Sequence, residues 1–203
     1  MIKLKDILTE RISDIVYHFT TTEAASYIIE TNRFRLKPIL LDSVVNVGRD
    51  YEEGFYMSVA RTKIEGYTKS INSSRCFFVR FELDGNKLSN RYKDGPFDYF
   101  PQHQGDNEYE EYEDRIYSKD MFIPNAKTYI KRMDVDVSRK CTGGFNTKKL
   151  IKIATSAGVP TFIFPSREKW GQQSSGIQIR NVKEYEQLKI DYNTGLFISS
   201  LVK

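Results

Sequence analysis

The sequence predicts an α+β fold, and three observations carry that prediction. Strand-type runs rich in β-branched and aromatic residues recur at 14–19, 54–60, 75–83, 133–137 and 161–164. Helical apolar spacing is confined to a few stretches, the clearest at about 20–31 and 146–157. The two patterns do not alternate as a doubly wound parallel sheet requires. A chain of 203 residues suits a single domain with a sizeable core.

The elements follow in order. Residues 3–12 place Leu4, Ile7, Leu8 and Ile12 on one helical face. Residues 14–19 read as a buried strand. Thr20-Thr21-Thr22-Glu23 then fits a capping box, with Thr20 as N-cap. The helix buries Ala24, Ala25, Ile28 and Ile29 and stops at Asn32. Phe34 to Leu41 reads as a strand broken at Pro38, and 42–53 as a loop. Gly54 to Ala60 is a strand with Arg61 at its end, and 62–73 is helical. Arg75 to Leu83 is a strong strand, closed by a turn at Asp84-Gly85-Asn86. Residues 90–111 form a long segment without periodicity, the kind of loop that usually serves function or is disordered. A short strand at 115–117, a helix at 124–131 and a strand at 133–137 follow. Asn146 caps a helix that Gly158 closes, and 161–164 is a buried strand. A hairpin around Asn193-Thr194-Gly195 joins 188–192 to 196–202. The sum is six to eight strands.

Composition narrows the classes. Apolar residues make up 39% and charged residues 29%, an ordinary soluble balance. No apolar run is long enough for a membrane span, and Met1 to Glu10 lacks the apolar stretch of a secretory signal. Cys76 and Cys141 read as reduced thiols of a cytoplasmic protein. His18 and His103 lie far apart in sequence, so no metal site is expected. No dinucleotide glycine fingerprint, phosphate loop, nucleophile elbow or kinase signature occurs. The net charge of +4 is unevenly spread. From Lys119 to Lys183 there are 13 Lys/Arg against 4 Asp/Glu, whereas Asp98 to Asp114 holds 7 acids and no Lys/Arg. The basic part suits a polyanion such as nucleic acid, or simply a solvated surface.

Three segments carry candidate chemistry. In Ile15-Val16-Tyr17-His18-Phe19-Thr20 a histidine near a strand end sits two residues from a hydroxyl, a pair able to donate to and accept from a sugar edge. Phe55-Tyr56-Met57-Ser58-Val59-Ala60-Arg61 ends a strand on an arginine. Glu111-Tyr112-Glu113-Asp114-Arg115-Ile116 follows the long loop and begins a strand. Asp114 and Arg115 read as local scaffolding, with an ion pair between them.

Their order resembles the ADP-ribosyltransferase superfamily, in its variant with a His–Arg–Glu motif, and is most similar to DarT-like and phage-associated members. The resemblance covers about residues 14–137 and leaves the basic portion 138–203 without a role. It implies split mixed and antiparallel β-sheets flanked by helices around an NAD cleft, with NAD+ as substrate and no metal. Glu113 would stabilise the oxocarbenium-like ribose. His18 and Thr20 would hold the sugar and the nicotinamide end. Arg61 would pair with the pyrophosphate, or fix the glutamate relative to the dinucleotide. Tyr56 or Tyr17 would stack on nicotinamide, with Ser58 beside them in the cofactor site. Glu111, Tyr112 and the loop from about 102 would meet the acceptor, with Trp170 as a further stacking platform. The pattern Glu111-x-Glu113 is similar to that of members modifying protein arginine, but those carry Arg at the first motif, where this chain has His18. The acceptor expected is therefore nucleic acid, with a protein side chain behind it. Such a protein would be a bacterial or phage-encoded cytoplasmic toxin, defence or host-takeover factor with a possible antitoxin partner. A non-catalytic nucleic-acid-binding or virion-associated module, and an NAD+ glycohydrolase, are the alternatives.

Overall fold

A computed structural model gives the structure, and it describes residues 12–39, 54–61, 79–96, 113–137, 147–164, 176–191 and 196–198. The predicted lead-in helix 3–12 lies outside these residues except at Ile12, and the loop 42–53 and helix 62–73 lie wholly outside them. So does most of the long segment 90–111.

The fold is a mixed sheet with helices packed on it. Thirteen strands and five helices occur among the described residues. The main sheet contains β1 (Ile15–Thr20), β4 (Phe55–Ala60), β5 (Val79–Asp84), β6 (Lys93–Pro96), β7 (Glu113–Ser118), β9 (Ile130–Asp136), β10 (Thr161–Phe164) and β11 (Ile177–Ile179). They run in the order β11-β10-β9-β5-β1-β4-β7-β6, and β3 (Lys37–Pro38) also pairs with β4. Only β9 and β10 pair in parallel. Two small sheets lie apart from it: β2 (Arg33–Arg35) with β8 (Phe122–Pro124), and β12 (Lys189–Asp191) with β13 (Leu196–Ile198). The second is the hairpin expected around Asn193.

Alternation along the strands separates two faces. On one, Val16, Val79, Phe81, Leu83, Met133, Val135 and Ile163 are fully buried. They share one core with Ala25, Ile28 and Ile29 of α1 (Thr22–Thr31) and Leu150, Ile151 and Ala154 of α4 (Thr147–Ser156). Burial of such aliphatic side chains contributes about 1.5–3 kcal/mol each. The other face is polar. There Arg80 and Asp134 are buried and paired, Arg80 Nε lying 3.0 Å from Asp134 Oδ2. Arg132 Nε donates to Asp134 Oδ1 at 2.6 Å, and its guanidinium lies 3.8 Å from the Phe162 ring centre. One carboxylate thus compensates two guanidinium groups.

Several local expectations are corrected. Thr21, not Thr20, caps α1, accepting from the Ala24 amide at 3.1 Å; Asn32 ends the helix in the left-handed region at φ 52°. The turn at Asp84 is instead α2 (Gly85–Ser89), because Asp84 accepts the Lys87 amide as a helix cap. Gly85 is required there: a Cβ would sit 1.9 Å from the Ser13 carbonyl oxygen. The break after β2 falls at Leu36, whose amide donates to the Met121 carbonyl at 2.9 Å. The helix expected at 124–131 shrinks to α3 (Ala126–Tyr129), flanked by β8 and β9. β6, β8, β11 and α5 (Val182–Gln187) were not expected.

Candidate functional site

The three motif segments occupy adjacent strands. Tyr17 of β1 pairs with Ala60 of β4, and Ala60 pairs with Glu113 of β7. One row across the sheet therefore carries the neighbour of His18, the neighbour of Arg61, and position 113; by register, position 113 falls on the Tyr17 face, whereas position 114, paired with Val59, falls on the His18 face. Strand spacing puts the ends of that row within about 10 Å. Glu113 opens its strand, so its backbone stands where the preceding segment enters the sheet.

The β1–β4 junction is unlike the others. β1 pairs with β5 through six residues, and β4 with β7 through six, but β1 and β4 share a single pair, Tyr17 and Ala60. Beyond that pair the sheet opens. The His18 ring reaches into the opening, with Nδ1 3.1 Å from the Ser58 carbonyl oxygen. A carbonyl only accepts, so Nδ1 carries the hydrogen. Burial pushes the His18 pKa below its usual value; the Ser58 carbonyl opposes this, and Lys37 adds to the depression. The ring is thus neutral at pH 7, and Nε2 is an acceptor suited to a hydroxyl donor. Phe34 meets the ring edge-on at 6.0 Å.

His18 also lines a cavity of about 390 Å³ with Thr20, Thr21, Glu23, Ala24, Tyr27, Ile28, Arg35 and Phe122. Its floor is the C-terminal half of β1. One wall is the first two turns of α1, and another is the β2–β8 pair. The volume falls in the range of small-molecule sites. Because Thr21 provides the helix cap, the Thr20 hydroxyl is not needed for that task.

Arg61 is held, rather than extended toward solvent. Its Nε lies 3.1 and 3.0 Å from the two carboxylate oxygens of Asp114, and Nη2 lies 2.9 Å from Oδ1. Asp114 is fully buried. This corrects the expected Asp114–Arg115 pair: adjacent strand residues point to opposite faces, so Asp114 turns toward Arg61. Arg115 instead places its guanidinium 4.0 Å from the Tyr56 ring centre.

The remaining predicted residues separate. Tyr17 and Tyr56 are both buried. Tyr17 lies on the face opposite His18, 5.7 Å from the Arg80 guanidinium, and so does not share the His18 cavity. Tyr56 and the Ser58 side chain occupy that same opposite face, since Ser58 and Ala60 alternate with Val59. Ser58 contributes to the His18 side through its carbonyl alone. Both tyrosines are thus built into the scaffold rather than presented to a ring in the cavity. Glu111, Tyr112 and Trp170 lie outside the described residues, as do Cys76, His103 and Cys141.

Sequence reasoning missed Glu23, Tyr27, Arg35 and Phe122 as cavity residues. Ala24, Tyr27 and Ile28 had a signal, the i, i+3, i+4 spacing of one helical face. No group of three or more His, Cys, Asp or Glu side chains positioned for a metal ion occurs among the described residues. No helix among them is long and apolar enough to cross a membrane. No family model, curated protein or solved structure matches the chain.

Proposed function

We propose that this protein is an NAD+-dependent mono-ADP-ribosyltransferase of the His–Arg–Glu type, acting on a macromolecular acceptor, with nucleic acid favoured. One observation carries the reading: the Tyr17–Ala60–Glu113 row brings three motifs, scattered over almost a hundred residues, onto three neighbouring strands. The single-pair junction between β1 and β4 supports the split sheet that the resemblance implies.

In the proposed reaction the nicotinamide–ribose bond breaks and nicotinamide leaves with the bonding electrons. An acceptor atom then bonds to the anomeric carbon and gives up a proton. Positive charge grows on the ribose during the break. The Glu113 carboxylate would stabilise that charge more in the transition state than in the ground state. It would also help remove the acceptor proton. Because the row of position 113 belongs to the face opposite the cavity, the dinucleotide would have to bridge the gap between β1 and β4: on the cavity side His18 Nε2 would accept from one of its hydroxyls, while Thr20 supplies a second polar contact at the cavity floor. Arg61 would act by position, its bonds to Asp114 fastening the end of β4 beside the start of β7. The cytoplasmic, toxin or defence setting, and an antitoxin partner, belong to this proposal.

The test uses labelled NAD+ with purified protein and total nucleic acid or lysate. Wild type should label macromolecules, nucleic acid first, and Glu113→Ala should abolish labelling with the fold retained. Equal labelling by the two proteins would end the assignment. Labelled protein without labelled nucleic acid would move the acceptor to a side chain. Release of free ADP-ribose alone would mark a glycohydrolase. Absence of NAD+ binding would leave a non-catalytic module.

A further inference from the structure

The run Arg33-Phe34-Arg35-Leu36-Lys37 alternates strictly. Phe34 and Leu36 are buried, while Arg33, Arg35 and Lys37 are exposed. Arg33 and Arg35, alternate residues of β2, are about 6.6 Å apart, and Lys37 follows on β3, just past the break at Leu36. Among the described residues, the carboxylates nearest in the chain and on the adjoining elements are Glu23 and Glu30 of α1 and Asp120 before β8. Among the described residues none of them pairs with Arg33, Arg35 or Lys37.

A second, independent feature coincides with these cations. Among the described residues two large apolar side chains are exposed, Tyr27 at 37% and Met121 at 40%. Both flank the cations. The Arg33 guanidinium lies 5.8 Å from the Tyr27 ring centre and 4.4 Å from that of Phe122. The Met121 carbonyl receives the Leu36 amide. Arg35, Tyr27 and Phe122 also line the His18 cavity, so the cations lead to its mouth.

We infer that Arg33, Arg35 and Lys37, with Tyr27 and Phe122, form a docking strip for an unpaired segment of nucleic acid. Closely spaced cations suit a phosphate backbone, and the exposed Tyr27 ring and the Arg33 guanidinium plane give base faces somewhere to stack, with the half-buried Phe122 beside them. A duplex hides its base faces and offers phosphates only. In giving the acceptor a docking surface the inference rests on the proposed transfer activity, but its binding test does not.

The probe is a short fluorescent oligonucleotide, read by anisotropy against the full chain from about 50 to 200 mM salt. Three phosphate contacts give a slope of log affinity against log salt of about −2, and Arg33→Gln/Lys37→Gln should reduce it to about −0.7. Tyr27→Ala should weaken binding at least about fivefold with the slope unchanged. Lys152→Gln, at an exposed position on α4, should change nothing. If Arg33→Gln unfolds the protein, Lys37→Gln alone should still remove about 0.7 of the slope. An unchanged slope in the folded double variant would overturn the inference. So would equal affinity for a duplex of the same sequence, or preference for an acidic peptide. Calorimetry with NAD+ separates the two proposals. Oligonucleotide binding without NAD+ binding leaves the strip and removes the enzyme; the reverse removes the strip alone.

Discussion

Replacing either member of the Arg61–Asp114 pair should destabilise the protein, and by unequal amounts. Asp114 is fully buried, while the Arg61 side chain keeps 27% exposure. Removing Arg61 leaves a carboxylate with no water to replace the guanidinium, and breaking a buried pair this way costs about 3–5 kcal/mol. Removing Asp114 leaves a cation that can rehydrate through its exposed part. The loss then falls toward that of charge-assisted hydrogen bonds, about 2–3 kcal/mol. For a chain of this size that corresponds to a lower melting temperature by about 5–10 °C for Asp114→Ala, and by more for Arg61→Ala. The assay is denaturant unfolding of wild type, both single variants and Asp114→Ala/Arg61→Ala. The double variant should be more stable than the sum of the single losses predicts, with a coupling of at least about 1.5 kcal/mol. Additivity within about 0.5 kcal/mol, or a larger loss for Asp114→Ala than for Arg61→Ala, would refute the pair as the fastener of β4 to β7.

Two further outcomes are expected. Asp134→Ala removes the carboxylate paired with the buried Arg80 guanidinium and should cost about 3–5 kcal/mol, a large part of a typical domain's stability, as read from urea unfolding. His18 should make stability depend on pH, because burial lowers its folded-state pKa. Above about pH 6.5 the ring is neutral in folded and unfolded chains and contributes nothing. Below that the unfolded chain takes up the proton first, so stability falls until the folded ring's own lower pKa is passed. Unfolding free energies measured from about pH 8 to pH 5 for wild type and His18→Phe should diverge only on the acid side; parallel curves would show that the ring is not desolvated.

Much of the fold was legible because its signals are local. Ile15 to Thr20, Phe55 to Ala60 and Thr161 to Phe164 are strands by composition alone, and Asn32 and Gly158 end helices by backbone preference. β6, at Lys93-Asp94-Gly95-Pro96, was not legible, because its strand conformation comes from pairing with β7 rather than from its own residues. The turn reading at Asp84 failed for a related reason, since one carboxylate serves a turn or a helix cap equally well. At the site, the three motif segments were expected to come together, and their strands are neighbours. The partition of Tyr17 and His18 to opposite faces follows from alternation, but which face holds the cavity depends on where α1 and β2 settle. Asp114 was assigned to its sequence neighbour Arg115, whereas the bond it makes spans 53 residues, beyond any local rule.

The imidazole of residue 18 belongs to two structures at once. It closes the gap where the strands part, through Ser58, and it forms part of a cavity wall. Shape and chemistry are therefore tied together at one position, and exchanging the ring for a smaller or charged group alters both the seam and the chamber. Variation that retunes what the chamber accepts has more freedom at Glu23 or Arg35, where no seam is at stake.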